Sequence, residues 1–344
     1  PGADPRNLGF AVNIAGHAAG APASHLAKQG FRRPGTDPIF EVPGLDFYHG
    51  SDRFLSDVLT DEALAAAAAA RVRGRPFLLH LSHYAVHPPL DADERFVGRY
   101  RDRGDSEPDA RYAALVRGVD DSLGRVLDWL DANGLSNDTL LVFVSDNGGL
   151  SAHSRGGERH RHNVPLRSGM GSAYDGGLRV PLVFHWPGRV RADQSVGLPV
   201  QLEDVMPTVC ELLGVPADCP DGVPFTAALR PVPPPPPSPA AAAATALPAA
   251  TPHPLFFHHP HHWGTTGPGL EPFSAVRDGD HKLIWFHADG RIELYDLNQD
   301  LGETRDLAAQ EPAIRERLLG LLRAHLQRCD AQLPQRRDGS AVSL

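Results

Sequence analysis

Two runs of largely apolar residues, Phe77-Leu78-Leu79-His80-Leu81 and Leu140-Leu141-Val142-Phe143-Val144, flank a long helical pattern. Neither run alternates polar with apolar residues, the pattern of a strand covered on both faces. Between them Tyr112, Leu115, Val116, Val119, Leu123, Val126, Leu127 and Leu130 recur at helical spacing, and Asn133-Gly134 supplies a stop, which predicts a helix over 109–133. Strand, loop, helix and strand in this order predict an α/β fold: a mostly parallel sheet between helices. Val180 to Trp186 is a third strand candidate, and Asp204 to Leu213, closed by Gly214, a further helix. In such sheets ligands bind beyond the carboxyl ends of the strands. That points to two loops, Ser82 to Pro89 and Ser145 to Gly149.

The remaining chain divides by composition. Residues 1–56 are rich in Gly, Pro, Asn and Asp without sustained periodicity, as expected either of a functional loop region or of the tail end of a longer domain. Thr60 can cap a helix whose first turn holds Asp61 and Glu62, whose body is an alanine run and whose stop is Gly74. Residues 231–251, Pro-rich and then Ala-rich, read as an extended linker. Beyond it, Ser274 to Arg277, His281 to Phe286 and Arg291 to Tyr295 predict a small antiparallel meander, and Ile314, Leu318, Leu321, Leu322 and Leu326 a C-terminal helix. The expected organisation is therefore a core over 1–230, a linker over 231–251 and a C-terminal subdomain over 252–344.

Composition excludes several classes of function. The formal charge is 33 − 42 = −9 and no basic stripe interleaved with aromatics is present, so no nucleic-acid partner is expected. No uninterrupted apolar stretch reaches membrane-spanning length, and Pro1 to Arg6 does not open a signal segment. Cys210, Cys219 and Cys329 form no C-x-x-C pair. Lysine occurs only twice, as Lys28 and Lys282.

Asp146-Asn147, at the end of the second apolar run, supplies a carboxylate and an amide oxygen, donors that suit a hard cation. Asp-Asn-Gly-Gly is also ordinary turn chemistry, and taken alone the tetrapeptide is open to both readings. A longer stretch bears on the choice. Asn163-Val164-Pro165-Leu166-Arg167-Ser168-Gly169-Met170-Gly171-Ser172-Ala173-Tyr174-Asp175-Gly176-Gly177-Leu178-Arg179-Val180-Pro181 resembles, without a gap, the run N-x-P-L-R-G-G-K-G-S-x-Y-E-G-G-x-R-V-P. That run follows the strand ending S-D-N-G-G in sulfatases of the alkaline-phosphatase superfamily.

Leu79 to Leu90, with its S-H-Y-A-V-H-P-P, resembles the segment of that family whose final histidine, here His87, contacts the sulfate. Asn7 to Gly20 is similar to its glycine-rich loop. Phe256 to His262 is similar to its aromatic and histidine motif, and Ala275 to Leu307 to its C-terminal subdomain. The resemblance implies an alkaline-phosphatase-like fold and hydrolysis of a sulfate ester, on a sulfated glycan or small aryl molecule, with Ca2+ or in its place Mg2+. Asp146 and Asn147 would be metal ligands, and His87 would bind sulfate and assist proton movement, a role that suits imidazole near neutral pH. His258, His259, His261 and His262 leave two readings: solvated loop histidines, or contact with substrate at His259 or His261. A periplasmic or secreted location is implied by the resemblance.

Two departures accompany it. In the family a Cys or Ser in C/S-x-P-x-R becomes a formylglycine whose hydrate attacks sulfur. No residue of this chain occupies such a motif, and the paired aspartates and G-K-W-H segment are likewise missing, so the expectation is a sulfatase without its N-terminal portion. Met170 stands where the family places a sulfate-binding lysine. One charge about 4 Å from an anion contributes up to roughly 4 kcal/mol at an effective dielectric of 20, so slow turnover or a non-catalytic remnant that binds sulfated ligands is an alternative. Phosphoric-ester hydrolysis on the same scaffold is a third.

Overall fold

The computed structural model describes residues 4–150, 162–216, 218–230, 252–262, 267–335, 339–340 and 342–344. The Pro/Ala tract over 231–251 lies outside them, as do His153 and His160. The chain forms two compact units, Pro1–Thr139 and Leu140–Leu344.

In the first unit the Gly/Pro-rich opening is built from short 3-10 turns rather than one open loop. Asp4 and Asp37 each accept a hydrogen bond from the backbone N–H two residues on, and a proline follows each at the start of its turn. These turns enclose a small core of Ala27, Phe31, Val42, Leu45, Leu55, Val58 and Leu59. Helix α1 (Leu55–Val72) begins earlier than expected. Thr60 is not its cap: the side chain is buried within the helix, with Oγ1 2.6 Å from the Ser56 carbonyl one turn back. Gly74, at φ +64°, stops the helix as its sequence suggests. A short helix α2 (Val97–Asp102) leads to α3 (Glu107–Ala132), capped by Ser106, whose Oγ accepts from the Asp109 N–H. The α1 and α3 helices pack together.

Phe77 to Leu81 belongs to no helix or strand, which corrects the first strand assignment. Leu78 is 76% exposed, and no described residue forms a ladder with the segment. An apolar run becomes a strand only where a neighbour takes up its backbone hydrogen bonds.

Among its described residues the second unit holds two antiparallel sheets. Strand β1 (Leu141–Val144) pairs with β2 (Leu182–His185) antiparallel, Leu141 opposite His185 and Val144 opposite Leu182. The expected parallel pairing is therefore not the one between these strands. Parallel neighbours need a crossover, usually a helix, and the described part of this connection holds only the four-residue helix α4 (Asp175–Leu178). Helices α5 (Val205–Leu213) and α6 (Thr226–Leu229) follow, and Phe225 and Leu229 pack with Leu182 and Phe184 of β2.

Strands β3 (Leu255–His259), β4 (Phe273–Asp278), β5 (His281–Phe286) and β6 (Ile292–Asp296) form the C-terminal meander in sequential order. Alternation along β5 splits its side chains between two cores. Leu283 and Trp285 pack with Leu318, Leu322 and Leu326 of helix α7 (Pro312–Arg328). Ile284 and Phe286 pack with Ala173 and Tyr174 of the loop that precedes α4.

Candidate functional site

The turn after β1 presents the expected oxygen donors. Asp146 is exposed, and its Oδ1 accepts the Asn147 N–H at 2.8 Å. Asn147 is half-buried and donates its Nδ2 to the Gly148 carbonyl at 2.9 Å, which leaves Oδ1 as the acceptor end of the amide. Two hard oxygens on neighbouring residues fit Ca2+ or Mg2+ in kind and fall short of the six to eight donors calcium takes. Among the described residues no group of three or more His, Cys, Asp or Glu side chains is arranged to hold a metal.

The 163–181 stretch wraps this turn through backbone contacts. Gly148 N–H donates to the Gly177 carbonyl at 2.9 Å, Met170 N–H to the Gly149 carbonyl at 3.0 Å, and Asn163 Nδ2 to the same carbonyl at 2.8 Å. A Cβ on Gly148 would stand 1.8 Å from the Gly176 oxygen, so only glycine permits this approach. Met170, where lysine was expected, is thus held beside the Asp146 turn by its own backbone.

Behind that wrap lies an ion cluster whose central cation the sequence reading left without a role. Lys282, 1% exposed, donates to Asp175 Oδ1 and Glu303 Oε1, both at 2.8 Å. Glu303 Oε2 accepts the Asp175 N–H at 2.6 Å, and Arg179 Nε donates to Asp175 Oδ2 at 2.9 Å. Arg179 thereby pairs with the buried carboxylate at the start of α4. Burial works against the Asp175 carboxylate, but Lys282 and Arg179 outweigh it and hold the carboxyl below its usual range. For Glu303 burial wins, reinforced by Asp175, and raises it. Arg167 lies over the Tyr174 ring at 3.8 Å and donates to the Glu303 carbonyl at 2.7 Å. Tyr174 and Tyr295 both donate to Glu293 Oε2, at 2.8 and 2.7 Å. One signal was legible: a lysine, in a chain nearly devoid of them, inside the apolar run His281 to Phe286.

His87 belongs to the first unit. Its Nδ1–H donates to the Pro88 carbonyl at 2.8 Å, so in the neutral ring Nε2 carries the lone pair. His25, fully buried and stacked 5.4 Å from Phe54, donates Nε2–H to the His87 carbonyl at 3.1 Å. Burial pushes the His25 pKa down. Asp91 fastens the other end of the loop, accepting the His25 N–H at 2.9 Å and Arg33 at 2.5 Å.

His258 and His259 are strand residues of β3 rather than loop residues. His259 stacks on Phe273 at 5.8 Å, with the exposed His261 ring at 6.2 Å, and burial lowers its pKa with His261 and His258 adding to the effect. His258 Nε2–H donates to the Gln332 carbonyl at 2.9 Å, so its Nδ1 accepts from Ser274 Oγ at 2.8 Å, and Ser274 in turn accepts from His287 Nε2 at 2.8 Å. With the His258 ring neutral this direction follows, because a carbonyl can only accept. Burial, with the nearby His258, pushes the His287 pKa down to about 4.

The profile of the sulfatase family matches residues 17–215, over half of the chain. The chain belongs to the sulfatase family. A sulfatase of Formosa agariphila is 29% identical over 287 residues, 77% of this chain and 48% of that protein. The steryl-sulfatase of Mus musculus is 39% identical over 161 residues, 45% of this chain and 24% of the relative. The chain thus spans about half or less of the length of these curated sulfatases. Among solved structures, Ps i-CgsB in complex with k-i-k-neocarrahexaose superposes with a TM-score of 0.72 at 23% identity, over 97% of this chain and 70% of the other. The fold is alkaline-phosphatase-like, with mixed helices and the antiparallel C-terminal sheet described above.

Proposed function

We propose that this sulfatase-family chain serves the hydrolysis of a sulfate ester on a saccharide or aryl molecule with calcium. The reading is carried by the contact of the Asp146 turn with the family stretch: Gly148 donates to Gly177 and Met170 to Gly149, so the oxygen donors and the motif form one unit. Asp146 and Asn147 would hold the cation, which when bound supplies a positive charge for the sulfate oxygens. His87, with Nδ1 committed to Pro88, keeps Nε2 which, in the protonated ring, would donate to a sulfate oxygen or pass its proton to the leaving oxygen. His259 and His261 would touch the substrate beyond the sulfate. The oligosaccharide bound to Ps i-CgsB supports a glycan, and the steryl-sulfatase relative a smaller ester. No residue of the 344 is assigned as nucleophile. Met170, in the lysine's place, favours a second reading: a protein that binds sulfated ligands without turnover.

The test joins the gene to its product. An in-frame segment encoding paired aspartates and C/S-x-P-x-R should adjoin the codons of this chain. The product should release sulfate from 4-nitrophenyl sulfate or a sulfated oligosaccharide, and lose that release with a chelator or with Asp146→Asn. Release indifferent to both would overturn the calcium reading. Ligand binding without release would favour the second.

A further inference from the structure

We infer that the buried Lys282–Asp175–Glu303 cluster is the positioning device of the Asp146–Asn147 turn. The inference rests on the reading that this turn holds the cation. Lys282 bridges Asp175 and Glu303 at 2.8 Å each, and Glu303 Oε2 takes the Asp175 N–H at 2.6 Å, so the first residue of α4 is held through both side chain and backbone. Two residues on, the Gly177 carbonyl accepts the Gly148 N–H at 2.9 Å. A second tie runs in parallel: Arg167 donates to the Glu303 carbonyl at 2.7 Å, and its own carbonyl accepts the Gly176 N–H at 2.9 Å.

The last link is backbone against backbone. With the Gly176 oxygen where a Gly148 Cβ would be, no side chain lies between α4 and the turn to absorb a displacement. A shift of α4 therefore passes to Gly148 and to its neighbour Asn147. Lys282 and Glu303 would touch neither cation nor substrate and act through α4. Partners that orient a metal ligand from behind typically change metal affinity about 10- to 100-fold when removed.

The experiment compares Lys282→Met with Leu322→Ala in the 344-residue chain. Leu322 is fully buried with α7 in the core on the other face of the sheet, away from the cluster. Two quantities are read: hydrogen exchange of the Gly148 amide relative to the β4 amides of Ala275 and Val276, and the affinity for Tb3+ by luminescence. Lys282→Met should speed Gly148 exchange at least about tenfold beyond any change in β4, and weaken Tb3+ about 10- to 100-fold. Leu322→Ala should move β4 and Gly148 together and leave the Tb3+ affinity of the folded protein unchanged. Where Lys282→Met does not fold, Glu303→Gln, which keeps an oxygen for the Asp175 N–H and gives up the ion pair, should show the same selective pattern at smaller size. Gly148 exchange that follows β4 in the cluster variants overturns the proposal. If the unaltered chain binds no Tb3+ while the exchange pattern holds, the cation reading fails and the positioning of the turn stands.

Discussion

Asp146 and Asp175 lie on one stretch of chain, carry the same group and meet opposite surroundings. Asp175 is buried, with Lys282, Arg179 and a backbone link to Glu303 around it. Asp146 is exposed, and its carboxylate accepts the Asn147 N–H of its own turn. A carboxylate moved from water into a protein interior is tolerated when cations and N–H groups replace its hydration, and that set leaves it nothing to offer a ligand. The exposed one keeps lone pairs that solvent reaches. The buried aspartate thus holds α4, while the exposed one is the proposed cation ligand.

The largest effect expected from breaking this contrast is at Lys282. Lys282→Met leaves Asp175 and Glu303 buried with less compensation and should cost about 3–5 kcal/mol in urea unfolding. A cost under about 1 kcal/mol would mean that the cluster is not a buried charge site.

The histidine chain of the C-terminal sheet supplies the next largest. His287 has a folded pKa of about 4, against about 6.5 for an unperturbed histidine. The unfolded chain takes up its proton first, so stability present above about pH 6.5 is lost as pH falls toward 4, by up to about 3 kcal/mol. Unfolding followed from pH 7 to pH 4.5 should show this slope, and His287→Gln should flatten it. An unchanged slope would assign the loss to other groups.

Gly148→Ala comes third. The added methyl meets the Gly176 carbonyl, and forcing the two apart should cost about 1–3 kcal/mol by denaturation and weaken cation binding as well. Asp146→Asn is the smallest in stability, within about 0.5 kcal/mol, because an exposed carboxylate loses little on neutralisation. The same variant should abolish any calcium-induced rise in Tm. A large loss of stability from it would erase the distinction between the two aspartates.

The sequence marked candidate residues more readily than the cluster behind them. Asp146-Asn147 stood out because a stretch resembling a family run follows it, and His87 because its segment resembles a family pattern. Lys282 showed only as a lysine inside an apolar strand, and its two acceptors lie 107 and 21 residues away in the chain. No local pattern pairs such residues. The Ser274 link between His258 and His287 was equally unreadable, since a hydroxyl's direction follows from the carbonyl of Gln332 across the fold.

Periodicity and turn chemistry in the sequence alone determined α3, α5, the last three strands of the C-terminal meander and its helix, because spacing and stop residues are properties of a few neighbouring positions. Only the tertiary structure decided that β1 and β2 run antiparallel, that Phe77 to Leu81 is no strand and that Thr60 lies inside a helix. It also decided which of two aspartates is dry. Each of these depends on what a distant segment brings alongside, whether a ladder partner, a carbonyl or an ammonium, and a local apolar or polar run carries no record of that neighbour.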